Sequence, residues 1–149
     1  DEILGKTRRK IPTILDYNTH ISKSSMFNTP PVFAIYVSML TLQWLKDNGG
    51  VEWIEKINQK KADLLYNEID RNPLFEGTAN KEDRSNMNVT FLLTDNSKED
   101  QFNEMWTDAG INGLKGHISV GGYRASMYNA LPIESIQLLV EIMQKLAQD

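Results

Sequence analysis

Four side chains in this chain have the type and setting to hold an anion. Arg124 closes the run Gly121-Gly122-Tyr123-Arg124 at the end of a stretch that reads as a short strand. The missing side chains of two glycines leave room for a ligand beside the backbone, and a planar guanidinium grips a carboxylate through two parallel hydrogen bonds. His117, after Lys115-Gly116, offers an anion a donor when protonated and a neutral hydrogen bond otherwise. Asn28 and Thr29 stand directly before Pro30-Pro31 and the most apolar run of the sequence. Both cap helices, and proline suits a first helical turn, so the spacing predicts a helix with Thr29 as its N-cap and a positive end suited to a phosphate. Two prolines remove two backbone donors, which leaves the N–H groups of Val32 and Phe33 and the side chains of Asn28 and Thr29 for binding. By type and spacing alone, such residues more often form an empty cap, a loop histidine and a surface arginine paired with an acid.

Elements that could position these groups follow from periodicity. From Pro30 to about Asn48 apolar residues fall almost all round the helical wheel, so this helix needs cover on every side. That implies another domain or subunit, or else a central core helix. Asn48-Gly49-Gly50 ends it. A second helix, about Val51 to Asp70, places Ile54, Ile57, Leu64, Leu65 and Ile69 opposite Glu55, Lys56, Gln59, Lys60 and Asp63, and Asn72-Pro73 stops it. After a polar loop, Gly77 to Ser85, the alternation of Met87, Val89, Phe91 and Leu93 reads as a half-buried strand. Ser97-Lys98-Glu99-Asp100 resembles a capping box, opening a helix that buries Phe102, Met105, Trp106 and Ala109 before Gly110. Ile111–Leu114 and Ser119–Ala125 read as short strands, and Pro132 opens a last helix striped by Ile133, Ile136, Leu139, Val140, Met143 and Leu146. The expected fold class is α+β: helices packed on one face of a small, largely antiparallel sheet. Residues 1–25 show no sustained period and read as a linker or entry segment, with an extended stretch from Ile11 to Tyr17; residues 26–149 read as one domain.

Composition removes several classes of function. A net charge of -4 with both signs scattered argues against a nucleic-acid platform. With no cysteine, disulfides and thiolate chemistry are excluded, and His20 and His117 are too far apart in sequence and context to suggest a zinc site. The longest apolar run is interrupted by Ser38, Thr41 and Gln43, too short and polar for a membrane span, and no secretory signal is visible. A soluble cytoplasmic protein is the expectation. The opening Asp1-Glu2-Ile3-Leu4 reads as the middle of a longer chain.

Two separated motifs carry a family resemblance. Ser25-Met26-Phe27-Asn28-Thr29-Pro30-Pro31, and Leu114-Lys115-Gly116-His117 continuing through Gly121-Gly122-Tyr123-Arg124-Ala125-Ser126-Met127-Tyr128-Asn129-Ala130, resemble the phosphoserine aminotransferases, in the same order. Asn48-Gly49-Gly50-Val51 and Lys56-Ile57-Asn58-Gln59 extend the likeness over almost the whole chain. The resemblance implies the C-terminal small domain of a fold type I, pyridoxal-phosphate-dependent transferase, acting as a homodimer in serine and pyridoxine biosynthesis. It implies that Asn28 and Thr29 contact the cofactor phosphate of the other subunit, that Arg124 binds the substrate α-carboxylate of phosphoserine or glutamate, and that His117 helps hold the substrate phosphate. It places no catalytic residue in this chain, because the Schiff-base lysine and the acid that pairs with the ring nitrogen lie upstream in the family, in a large N-terminal domain. The chain alone is therefore expected to be inactive. One position departs from the pattern: where the family commonly has arginine after the histidine, Ile118 offers no side-chain donor, and Lys115 is the candidate replacement. The rival readings are another class V aminotransferase or desulfurase domain, and a non-catalytic module that binds a carboxylate through Arg124.

Overall fold

In the computed structural model, residues 4–116 and 121–148 are described. The chain forms two compact units, Asp1–Trp44 and Leu45–Asp149.

Among the described residues the first unit holds a 3-10 turn, Thr13–Leu15, and a short helix α1, Tyr17–Ile21, in place of the expected extended stretch. Asp16 accounts for the difference: its carboxylate accepts from the Asn18 N–H at 2.9 Å and so caps α1. His20 fixes the same turn by contacting the Ile14 carbonyl at 2.8 Å and packing edge-on against Phe27. Helix α2, Val32–Asp47, runs across the boundary between the units. It begins later than the cap at Thr29 predicts. Its first bond runs from the Ile35 N–H to the Pro31 carbonyl at 3.1 Å, which puts Pro31 at the N-cap position. The reason is local: a residue before proline is pushed out of helical geometry, so Pro30 cannot serve as a first helical residue ahead of Pro31. No residue of α2 is buried, and Phe33 is 80% exposed.

In the second unit Gly49 and Gly50, both at positive φ, turn the chain from α2 into helix α3, Gly50–Arg71. Strand β1, Phe75–Gly77, is an addition to the sequence reading, which left this stretch at the edge of a loop. Three residues are too few to show a period of two, and β1 is recognised by its antiparallel pairing with β2, Asn88–Leu93. Helix α4, Glu99–Asp108, is preceded by a 3-10 turn capped by Asp95, whose carboxylate accepts from the Ser97 N–H at 2.9 Å and from its hydroxyl at 2.7 Å. Asp95 thus takes the capping role expected of Ser97, and Ala109 lies exposed beyond the helix end. Strand β3, Tyr123–Ser126, completes an antiparallel sheet in the order β1-β2-β3, and helix α5 runs Ile133–Leu146. Residues Ile111–Leu114 form no strand; only Lys115 bridges to Tyr123. Gly113, at φ 72, turns the chain too sharply for a ladder.

The expected α+β layering is what forms. Phe75, Val89, Phe91, Tyr123 and Ala125 point into a core shared with Leu65 and Ile69 of α3, Phe102 and Trp106 of α4, and Leu139 and Met143 of α5. Phe75, Phe91, Phe102 and Tyr123 make a ring cluster with centroids 4.9 to 5.8 Å apart. The alternate residues Glu76, Thr90, Leu92 and Arg124 are left on the open face of the sheet.

Candidate functional site

Arg124 lies in the middle of β3, directly opposite Thr90 of β2. Its side chain is exposed, and among the described residues no ion pair or hydrogen bond occupies the guanidinium. An arginine held by its backbone with its fork unpaired is poised for an external carboxylate. The backbone is held firmly: the Arg124 N–H donates to the Leu114 carbonyl at 2.7 Å, and the Gly116 N–H donates to the Gly122 carbonyl at the same distance.

The glycines around Arg124 are required by close approach. A side chain at Gly116 would collide with the Gly121 carbonyl, and one at Gly122, where φ is 65, would strike Leu92 and come within 2.8 Å of the Phe91 carbonyl. Beside them a cavity of about 260 Å³ is lined by Thr78, Thr90, Leu92, Gly116, Gly121 and Arg124. The hydroxyls of Thr78 and Thr90 are hydrogen-bonded to each other at its edge. A second cavity, of about 400 Å³, is also lined by Arg124, together with residues 109–114 and the start of α5.

His117 and Ile118 lie outside the described residues, so Lys115 and Gly116 are the last described positions before them. Lys115 is exposed. Asn28 and Thr29 belong to the other compact unit, where both are exposed. The Val32 N–H there donates to the Pro30 carbonyl at 2.8 Å, which takes it out of the donor set expected for an anion. The side chains of Asn28 and Thr29 remain available among the described residues, and an amide and a hydroxyl suit a phosphate chemically.

Three buried or half-buried polar groups behind the site were not singled out from sequence. Lys61 has no solvent exposure; its ammonium donates to the carbonyls of Met127, Tyr128 and Leu131 at 3.1, 2.9 and 3.2 Å. Burial pushes it below the usual lysine range. Its position could have revealed it, because Lys61 falls on the stripe of Ile54, Asn58 and Leu65, at helical spacings of seven, three and four. Glu68, also buried, accepts from Asn72 at 2.9 Å, from Gln144 at 3.0 Å and from Arg71. Burial pushes its carboxyl up, but the bonds from Gln144, Asn72 and Arg71 outweigh it and hold the group below its ordinary range. Arg84 clamps the loop after β1 by pairing with both oxygens of Asp70, at 2.9 and 2.6 Å, while lying 4.4 Å over the Tyr66 ring. The hydrogen bonds from Arg84 and Lys81 hold the Asp70 carboxyl at about 2.

A small antiparallel sheet with one helix-covered face, and an open face that offers an arginine unpaired among the described residues, fits a domain that binds small carboxylates. The family comparison is consistent with that. The class-V aminotransferase family model matches residues 2–139, and this chain belongs to that family. Its curated relatives include the phosphoserine aminotransferases of Flavobacterium psychrophilum, 66% identical over 98% of the chain, and Bacteroides fragilis, 53% identical over 97%. The chain spans 41% of the length of each. Among solved structures, phosphoserine aminotransferase from Bacillus circulans subsp. alkalophilus superimposes with a TM-score of 0.85 at 39% identity, over 99% of this chain and 41% of that one. The pyridoxal-phosphate-bound phosphoserine aminotransferase of Trichomonas vaginalis gives 0.79 at 36% identity, over 93% and 40%. The resemblance read from the two motifs is borne out. Among the described residues no helix is long and apolar enough to cross a membrane.

Proposed function

We propose that this chain is the C-terminal part of a phosphoserine aminotransferase, whose whole protein transfers an amino group between glutamate and 3-phosphohydroxypyruvate in serine biosynthesis, with a related role in pyridoxine biosynthesis. The observation that carries the reading is the exposed Arg124 guanidinium on the open sheet face, which no described residue pairs, beside a cavity that it lines with Gly116 and Gly121. Both amino donors, glutamate and phosphoserine, carry an α-carboxylate, and one bidentate arginine serves both. His117 holds the phosphate that only one of them has. Ile118 gives that phosphate no side-chain donor, so Lys115 shares the task.

Pyridoxal phosphate, the cofactor this family implies, fits the donors present: Asn28 and Thr29 would hold its phosphate from a second subunit. When bound, it supplies the electron sink that lets the amino group leave one substrate and join the other. The chain's own share is binding and orientation, because the lysine that carries the cofactor belongs to the N-terminal part of the whole protein. The working form is a cytoplasmic homodimer.

The test is steady-state kinetics of the full-length enzyme. Arg124→Ala should lower kcat/KM for glutamate and for phosphoserine together, each by about 100-fold, as expected for loss of a charge-assisted pair. Arg124→Lys should recover only part, since an ammonium cannot reproduce the paired geometry. An Arg124→Ala enzyme with unchanged kinetics would remove the carboxylate anchor.

A further inference from the structure

Strand β3, which carries Arg124, is short and lies at the edge of the sheet. The chain enters it through Gly121 and Gly122, consecutive residues at φ 75 and 65, with the Gly122 carbonyl accepting from the Gly116 N–H at 2.7 Å. Beyond β2, its other flank is met, among the described residues, by Leu114 and Lys115. These bonds fix the near end of β3, and the aim of Arg124 depends in addition on how its far end is held. At that end the chain leaves β3 in the turn Met127–Leu131, and helix α3 grips that turn from below. The ammonium of Lys61 takes the carbonyls of Met127, Tyr128 and Leu131, using all three of its N–H donors. One helical turn earlier, the Asn58 amide donates to the Asn129 side chain at 2.8 Å.

A lysine with no solvent exposure and no carboxylate partner among the described residues is an expensive way to hold a turn. Three converging carbonyls fix the turn in three directions, which a single amide or hydroxyl could not do. Met127 is itself buried, and its N–H donates to the Met87 carbonyl at 2.8 Å, so the clamp acts on the residue where β3 meets the core.

We infer that Lys61 is a positioning residue for the carboxylate site: by capping the carbonyls of the Met127–Leu131 turn it sets the end of β3 and hence the aim of the Arg124 guanidinium. This rests on Arg124 being the carboxylate anchor, as proposed above. Lys61 touches no substrate. Its effect is carried by geometry, through three residues of strand.

The experiment is a double-mutant cycle in the full-length enzyme. Lys61→Met keeps the apolar stem and removes the donors. It should raise KM for glutamate and phosphoserine by about tenfold, as a small misplacement of a binding group does, while kcat changes by less than about threefold. In an Arg124→Ala background the same substitution should change KM no further, because the group it aims is gone. A role confined to stability predicts the opposite: a lowered melting temperature with KM unchanged well below it, or equal KM effects in both backgrounds. Either result overturns the inference. If Lys61→Met does not fold, Asn58→Ala loosens the same turn without touching the lysine, and it should give a smaller KM increase that again vanishes with Arg124→Ala; no KM change in that variant overturns the inference as well. Unaltered kinetics in Arg124→Ala alone would instead remove the reading on which the inference depends, and the inference with it.

Discussion

Helices α2 and α5 have similar lengths and are both rich in apolar residues, yet they have opposite fates. In α5 the apolar residues fall on one stripe, and Ile136, Leu139, Val140, Ile142, Met143 and Leu146 are all buried against the sheet and its neighbouring helices. In α2 they fall all round, and Val32, Phe33, Ile35, Tyr36, Met39, Leu40 and Leu42 are exposed. Total apolar content does not decide burial. An amphipathic stripe tells a helix which neighbour in its own unit to face, whereas an apolar surface on every side needs more neighbours than one small unit can supply. Among the described residues no position of α2 is buried, so it is not serving there as a core helix.

Substitutions should separate the two regions, beginning with the largest effect. Phe102→Ala removes a fully buried ring from the cluster with Phe75 and Tyr123. It should destabilise the second unit by about 3–5 kcal/mol, read from chemical denaturation. A smaller effect is expected in acid. Because Asp70 titrates at about 2 in the folded chain and near 3.8 when unfolded, its contribution is complete above pH 3.8 and is lost as pH falls towards 2. Asp70→Asn should flatten the stability profile across that window, and an unchanged slope would show that the clamp to Arg84 adds nothing. Asp95→Ala removes the cap ahead of α4 and should loosen that end slightly, visible as faster amide exchange in its first turn. The smallest effect belongs to α2. Phe33→Ser should change the stability of the second unit by less than about 0.5 kcal/mol, and a loss comparable to that of Phe102→Ala would abolish the contrast between the helices.

Long periodic elements were legible in the sequence. Helix α3, helix α5 and strand β2 emerged with their buried faces because each carries enough apolar residues to show its period. Short elements were not: β1 has three residues, and α1 has five held by one carboxylate of Asp16. Capping was misjudged twice for a shared reason, since the neighbour decided it. Pro31 displaced Thr29, and Asp95, two residues before Ser97, took both of its donors. Around Arg124 the glycine spacing was legible as backbone crowding, because Gly116 and Gly122 have no room for a side chain, while the role of the arginine is the proposal that the kinetics test. Lys61 was overlooked because a lysine on a helix normally belongs to the solvated face, and only the three carbonyls opposite it explain its burial.

The central claim is a division of labour in which Arg124 serves every carboxylate substrate and His117 serves only the phosphorylated one. The most direct test is the ratio of kcat/KM for phosphoserine to that for glutamate in full-length Arg124→Ala and His117→Ala enzymes. The account predicts a ratio close to wild type for Arg124→Ala, with both values reduced, and a ratio that falls by about tenfold for His117→Ala, as loss of a hydrogen bond to a charged group would give. Equal losses for the two substrates in His117→Ala would contradict it.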